Sequence, residues 1–266
     1  MAINPKNHWS PQHACITCAT GNGKGIAVTT LNYVPDKAPL VIFDPYGEYQ
    51  TKFGKRKCFN YRTRRGLATA LKAGLQTSKP FVLAYTPQED KDQKLELDWF
   101  ADLIWAAADG NKLLYVLFEE YGKIATSTGK ESGRVGEIFT GGRKYGLRAG
   151  AIFQRSAEVP KTIWGNSAIK IIGAQEFTTD CKRIVDQLNC SIEDVMELGR
   201  LNQKFAIHKP ELMDNIKTKV HYLVSNGLGN YEKQAAIIEP CRRYLKEWSK
   251  EQKKLHKESD FNLINP

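Results

Sequence analysis

The 266-residue sequence predicts an α/β fold with a mostly parallel central sheet, on three observations. Apolar runs of strand length alternate with stretches of helical periodicity from residue 14 to residue 173. A glycine-rich turn with one lysine follows the first run. Several later runs end in polar residues, at the edge where parallel sheets keep their ligands. Such alternation implies parallel strands joined by right-handed crossovers.

The first run covers residues 14–16 and is followed by Thr20-Gly21-Asn22-Gly23-Lys24-Gly25. Ile26, Ala27, Val28 and Leu31 then repeat at helical spacing. Strand, glycine turn, lysine and helix form the layout of a phosphate-binding loop. Its glycines let successive N–H groups face a polyphosphate, and the helix N-terminus adds partial positive charge. Lys24 would reach the terminal phosphates. Two positions depart from G-x-x-x-x-G-K-[ST]: Cys18 stands at the first glycine, and Gly25 replaces the hydroxyl residue that holds magnesium. A plain flexible turn has the same composition, so the rest of the chain must decide.

Residues 1–12 are polar, with Pro5 and Pro11, and read as an arm. The run at 40–43 ends in Asp44-Pro45-Tyr46-Gly47-Glu48-Tyr49 and reads as a buried strand delivering a polar group. Residues 52–65 interleave Lys52, Lys55, Arg56, Lys57, Arg62, Arg64 and Arg65 with Phe53, Phe59 and Tyr61. Rings among cations suit a nucleic-acid backbone, and a solvated loop has the same look. A short helix is expected over 66–75, a strand over 81–85 and a core-packed helix over 95–108, capped by Gly110. The most apolar strand, 113–118, ends in Glu119-Glu120. Such a pair is what a nucleotide hydrolase needs: one carboxylate for the magnesium shell, one to polarise water. Two exposed glutamates at a strand end are the plain alternative. Residues 126–133 read as a mobile loop, 135–145 as a helix and 149–153 as a strand ending in Gln154-Arg155-Ser156. An amide there can sense a γ-phosphate. A short helix over 159–166 and a strand over 168–173 follow.

Net charge is +10 and the pI is about 9.2, which favours an anionic partner such as nucleic acid. No apolar run reaches spanning length and residues 1–10 show no signal peptide, so a cytosolic or peripheral protein is expected. The six cysteines are scattered, as in a reducing compartment. Cys15 and Cys18 form a C-x-x-C without a second pair, which reads as buried packing rather than a metal site.

The order CATGNGKG, VIFDPYGEY, LLYVLFEE and GGRKYGLRAGAIFQRSAEVPKTIWGNSAIKII resembles the HerA–FtsK superfamily of DNA-pumping ATPases. The resemblance covers residues 16–172 and extends weakly to 198–208, which look like a closing strand. The compact size is most similar to the genome-packaging ATPases of tailless, membrane-containing viruses. The resemblance implies a RecA-like P-loop NTPase, with helices on both faces of its sheet, that uses ATP and Mg²⁺. Lys24 would sit on the β- and γ-phosphates, with Thr20, Gly21, Asn22, Gly23, Gly25 and Ile26 lining the nucleotide. Glu119 matches the magnesium-shell position, Glu120 the catalytic base and Gln154 the sensor. Asp44 would help hold the ion's water shell. Arg143 and Arg155 are both candidates for an arginine finger reaching a neighbouring subunit. Implied partners are double-stranded DNA, further copies in a hexameric ring, and capsid or virion vertex proteins.

The expected organisation is an arm over 1–12, a RecA-like core over 13–210 and a helical, basic extension over 211–266. Helices are expected over 180–188, 192–198, 215–224 and 240–257, the second with Ser191 and Asp194 close to a capping box. The last carries Arg242, Arg243, Lys246, Lys250, Lys253, Lys254 and Lys257, for DNA, a capsid or simply solvent. DNA contacts are expected at Lys55, Arg56, Arg62, Arg64 and Arg65. The functional reading is a DNA-packaging motor in the infected host's cytoplasm or at the virion vertex. A cellular or conjugative DNA translocase, a nucleotide-binding phage assembly protein and a small-molecule P-loop kinase are the alternatives.

Overall fold

The structure is a computed structural model, which describes residues 2–77, 79–125, 128–202 and 218–238. Its centre is a nine-stranded sheet built on the predicted apolar runs. In chain order the elements begin with β1 (Ala14–Thr17), α1 (Lys24–Thr30) and β2 (Leu40–Phe43). A two-stranded hairpin follows, β3 (Lys52–Phe53) with β4 (Arg56–Lys57), then β5 (Phe59–Tyr61), α2 (Arg64–Leu75) and β6 (Val82–Tyr85). Next come α3 (Gln93–Ala107), β7 (Leu114–Phe118), α4 (Tyr121–Ile124), α5 (Arg134–Gly141) and β8 (Leu147–Phe153). Then follow α6 (Lys161–Asn166), β9 (Ile169–Ile172), α7 (Thr178–Leu188) and α8 (Ile192–Asn202). A hairpin, β10 (Thr218–Gly227) and β11 (Asn230–Ile238), completes the sheet. The strand order is β11-β10-β9-β1-β8-β7-β2-β6-β5. All pairs from β9 to β5 are parallel, and β10 runs antiparallel to both of its neighbours, β9 and β11.

Strands buried on both faces explain why the runs read as continuous apolar segments rather than alternating ones. Residues of β1 divide between the two cores: Cys15 packs with α2 to α8, while Ala14 and Ile16 pack with α1. Helices therefore lie on both faces, but unevenly. On the α1 side, Tyr33, Val34, Tyr49 and Phe53 from connecting segments complete the cover. Helix starts follow local chemistry. Thr63 caps α2 by accepting from the Gly66 N–H, and Asp92 caps α3 by accepting from Lys94 and Leu95.

Two expectations need correction, and a third gains detail. Residues 215–224 are not helical where described: they form most of β10 from Thr218 onward. Val220, Leu223 and Val224 satisfy a helical spacing, but Val220, Tyr222 and Val224 also alternate. The β-branched and aromatic content, with Asn-Gly-Leu-Gly-Asn after it, decides for a hairpin. The start of the expected closing strand, 198–202, is the end of α8. Residues 203–208, the C-terminal helix with its cations, and positions 126 and 127 of the expected mobile loop lie outside the described residues. Third, the arm is packed down. Ile3 and Lys6 donate backbone bonds to Ala108 and Lys144, Trp9 donates to the Gly110 carbonyl, and Arg148 donates to the Ser10 carbonyl.

Candidate nucleotide site

The parallel register puts the ends of β1, β8, β7 and β2 side by side in one row. Each delivers part of the site: the Thr20–Gly25 loop after β1, Gln154 after β8, Glu119 and Glu120 after β7, and Asp44 after β2. In the loop, Gly21 and Gly23 have φ of 76° and 86°, a left-handed conformation that favours glycine. Thr20 and Gly25 are exposed, and Ile26 is half-buried in the first turn of α1.

Lys24 Nζ forms an ion pair with Glu120 Oε1, and Gln154 Nε2 donates to Glu120 Oε2 at 2.7 Å. Lys123 Nζ lies 3.5 Å from the same oxygen and 4.6 Å from the centre of the Tyr46 ring. Burial alone would raise the Glu120 carboxyl. The Gln154 bond and the Lys24 and Lys123 charges overcome it and hold the group below the usual carboxylate range. Glu120 also has φ 51°, left-handed without being glycine. Strain of that kind persists where surrounding structure over-determines it, and it clusters at functional sites.

Glu119 is buried, and its Oε1 accepts the Tyr49 hydroxyl at 2.6 Å. Burial pushes its carboxyl up to about 7, against the pull of the Tyr49 bond and Lys24. Two carboxylates adjacent in sequence are thus driven apart, Glu120 ionised and Glu119 poised near neutrality. Asp44, expected to help hold the ion's water shell, follows directly on β2. It is fully buried, and its Oδ1 and Oδ2 accept the Glu48 and Tyr49 N–H groups at 2.9 and 2.8 Å. Both oxygens build the turn that carries Tyr49 to Glu119.

Among the described residues no group of three His, Cys, Asp or Glu is placed to hold a metal. Gly25 offers no side-chain oxygen. A magnesium ion, however, takes few protein carboxylates and keeps waters and phosphate oxygens. Glu119, a hard donor whose buried charge a cation would offset, fits that manner of binding.

The two candidate fingers sit at opposite ends of β8. Arg143 lies before it and donates to the Asn7 and Trp9 carbonyls, at 3.1 and 2.6 Å. It clamps the arm at the edge away from the nucleotide loop. Arg155 lies after β8, at the site's own edge. Its Nε pairs with Asp180 at 3.1 Å, and its guanidinium lies 4.3 Å from the centre of the half-exposed Phe177 ring.

The basic stretch also divides. Arg56 donates to the carbonyls of Pro35, Ala38 and Phe81 and holds the start of the sheet together. Arg64 pairs twice with Glu96, at 3.0 and 3.1 Å, and lies against Trp99. Lys55, Arg62 and Arg65 are exposed, with no ion pair among the described residues. Arg56 and Arg64 are thus both engaged by partners within the chain.

Lys123, Tyr49 and Tyr222 join the site without a role expected from the sequence. Lys123 carries a usable signal, three residues after Glu120 and one helical turn away. Tyr49 stands in the turn that begins at Asp44. Tyr222 gave none, because its strand read as helix.

Loop, acidic strand tip and neighbouring amide on a mostly parallel sheet define a RecA-like P-loop NTPase fold. No protein-family model matches the chain. A curated relative, Protein P9 of Pseudoalteromonas phage PM2, is 28% identical over 123 residues, 46% of this chain and 54% of P9. The chain thus matches P9 over about half that protein's length. The genome packaging NTPase B204 of Sulfolobus turreted icosahedral virus 2, solved with ATP-γS, superposes with a TM-score of 0.54 at 13% identity. The match covers 87% of this chain and 98% of B204. The bacterial conjugative coupling protein TrwBΔN70 superposes with a TM-score of 0.53 at 12% identity, over 87% of this chain and 86% of TrwBΔN70. The chain thus shares its fold with these two proteins. Among the described residues no helix is long and apolar enough to cross a membrane.

Proposed function

We propose that this chain hydrolyses ATP to move double-stranded DNA, as the genome-packaging motor of a virus. The observation that carries the reading is the junction of Lys24, Glu120 and Gln154 on the tips of three adjacent strands. Lys24 leaves Glu120 for the β- and γ-phosphates, and the loop N–H groups take the remaining charge. Glu120, ionised and released, accepts a proton from the attacking water. Gln154 turns its amide from Glu120 toward that water or the γ-phosphate. Magnesium, when bound, neutralises phosphate charge, with Glu119 holding its water shell. Arg155 is the residue we assign to a neighbouring subunit's γ-phosphate in a hexameric ring, because Arg143 holds the arm instead.

DNA would lie against exposed cations including Lys55, Arg62 and Arg65, through phosphates and without reading sequence. Capsid or vertex proteins would receive the motor, in host cytoplasm and virion. The resemblance to P9 of a phage supports the viral setting. The near-equal likeness to TrwBΔN70 favours a second reading, a conjugative or cellular DNA translocase.

The test is ATP turnover with and without duplex DNA, beside Lys24→Ala. The reading expects DNA-stimulated hydrolysis, and no nucleotide binding by Lys24→Ala. Unchanged ATP affinity in that variant would reduce Thr20–Gly25 to a turn. Turnover indifferent to DNA would favour a small-molecule kinase or assembly protein.

A further inference from the structure

A phosphate loop works only if its carbonyl oxygens face away from the anion while its N–H groups face it. Two side chains outside the glycine turn impose that orientation here. Cys18 Sγ donates to the Asn22 carbonyl at 3.1 Å. Tyr222, fully buried on β10, donates its hydroxyl to the next carbonyl, Gly23, at 2.7 Å. The Gly23 oxygen also accepts the Ile26 and Ala27 N–H groups, so Tyr222 grips the point where α1 starts. No protein acceptor among the described residues takes the N–H of Gly21 or Gly23.

The surroundings are shaped for these contacts. A Cβ at Gly23 would stand 2.7 Å from both the Tyr222 hydroxyl and Val220 Cγ1. A Cβ at Gly173 would collide with Cys18 Sγ, so Gly173 makes the room that lets a cysteine stand where the usual loop has glycine. Burial pushes the Cys18 thiol up to about 12, so it remains a protonated donor at neutral pH. Phe153 and Ala174 carbonyls fix the N–H groups of Cys18 and Ala19, anchoring the loop's stem to β8 and to the segment after β9.

We infer that Cys18 and Tyr222 are positioning residues that pre-form the nucleotide loop by holding the Asn22 and Gly23 carbonyls outward. The β10–β11 hairpin thereby contributes to the nucleotide site through the Gly23 carbonyl. This rests on the reading of the loop as a phosphate site.

Tyr222→Phe keeps the ring and removes only the hydroxyl. Cys18→Ala removes the thiol, and Cys18→Ser restores a donor. Binding of ATP and of ADP is measured by calorimetry, with kcat and KM for ATP. Loss of one hydrogen bond of this kind should weaken both nucleotides by roughly fivefold in Tyr222→Phe. Cys18→Ala should weaken them by about twofold or more, because a thiol is the weaker donor. Cys18→Ser should return toward wild type. KM should rise in step with Kd, while kcat at saturating ATP stays within about twofold. A merely structural role would instead lower kcat and the melting temperature together, with no rescue by serine. Wild-type Kd in Tyr222→Phe, or a fall in kcat at unchanged Kd, overturns the inference and leaves the phosphate loop standing. Failure of the wild-type chain to bind either nucleotide overturns both. If Cys18→Ala does not fold, Tyr222→Phe alone decides.

Discussion

Glu120→Gln tests two roles of one side chain. The ammonium of Lys24 is paired with Glu120, so an incoming polyphosphate must first break that pair. The two side chains are 17% and 11% exposed, which shields the contact from much of the solvent. In such a place the charge adds about 1–2 kcal/mol to what a neutral hydrogen bond contributes. The amide of glutamine still accepts from Lys24, but without the charge. Glu120→Gln should therefore bind ATP roughly 5–30-fold more tightly, the conversion of that energy at 25 °C. Hydrolysis should fall by about a hundredfold or more, the scale of a lost general base. A titration with a fluorescent ATP analogue reads the first effect, and single-turnover hydrolysis reads the second. Equal or weaker binding would show that the ion pair does not compete with nucleotide. Turnover near wild type would remove Glu120 as the base, and Glu119→Gln would then show whether the two roles are exchanged.

Mixing Arg155→Ala with Glu120→Gln chains should restore some turnover if Arg155 acts across a subunit boundary; mixtures as inactive as either parent would place it within one subunit or argue against a ring. Replacing Lys55, Arg62 and Arg65 together should flatten the slope of log affinity for duplex DNA against log salt by about 0.9 per lost phosphate contact. An unchanged slope would show that these cations do not meet DNA. The fold itself should lose stability in acid through His13, which is buried, accepts the Ala149 N–H at 2.9 Å, and is held down to about 4 by burial and by Arg148 and Arg143. Its folded value lies below the unfolded 6.5, so stability is complete above pH 6.5 and falls until about pH 4, by ~3 kcal/mol. His13→Asn keeps an acceptor for Ala149 and should be less acid-sensitive in thermal melts across that window; equal sensitivity would refute the assignment.

The parallel part of the fold was legible because it is buried on both faces. A strand such as Leu114–Phe118 can only be a run of apolar residues, and its end is marked where the first carboxylate appears. The hairpin was not legible for the opposite reason. Its strands mix Thr, Lys, His and Gln with the apolar residues, and Val220, Leu223 and Val224 fit either period. A decision needed the partner strand, which supplies a two-residue connection at Leu228-Gly229 between Gly227 and Asn230.

The site divides along the same line. Lys24, Glu120 and Gln154 stood out because each follows an apolar run, and the register of parallel strands converts that linear position into spatial adjacency. Nothing in the sequence separates Arg143 from Arg155, or Arg56 from Arg62, because a guanidinium facing solvent and one gripping backbone carbonyls are the same residue type. The difference lies in what surrounds them. Arg143 meets the carbonyls of an arm more than a hundred residues away in sequence, and Arg56 meets three that open the sheet. Net charge is therefore a poor guide to where nucleic acid would lie on this chain. Part of its cationic excess neutralises no partner charge at all but donates to backbone carbonyl oxygens of connecting segments.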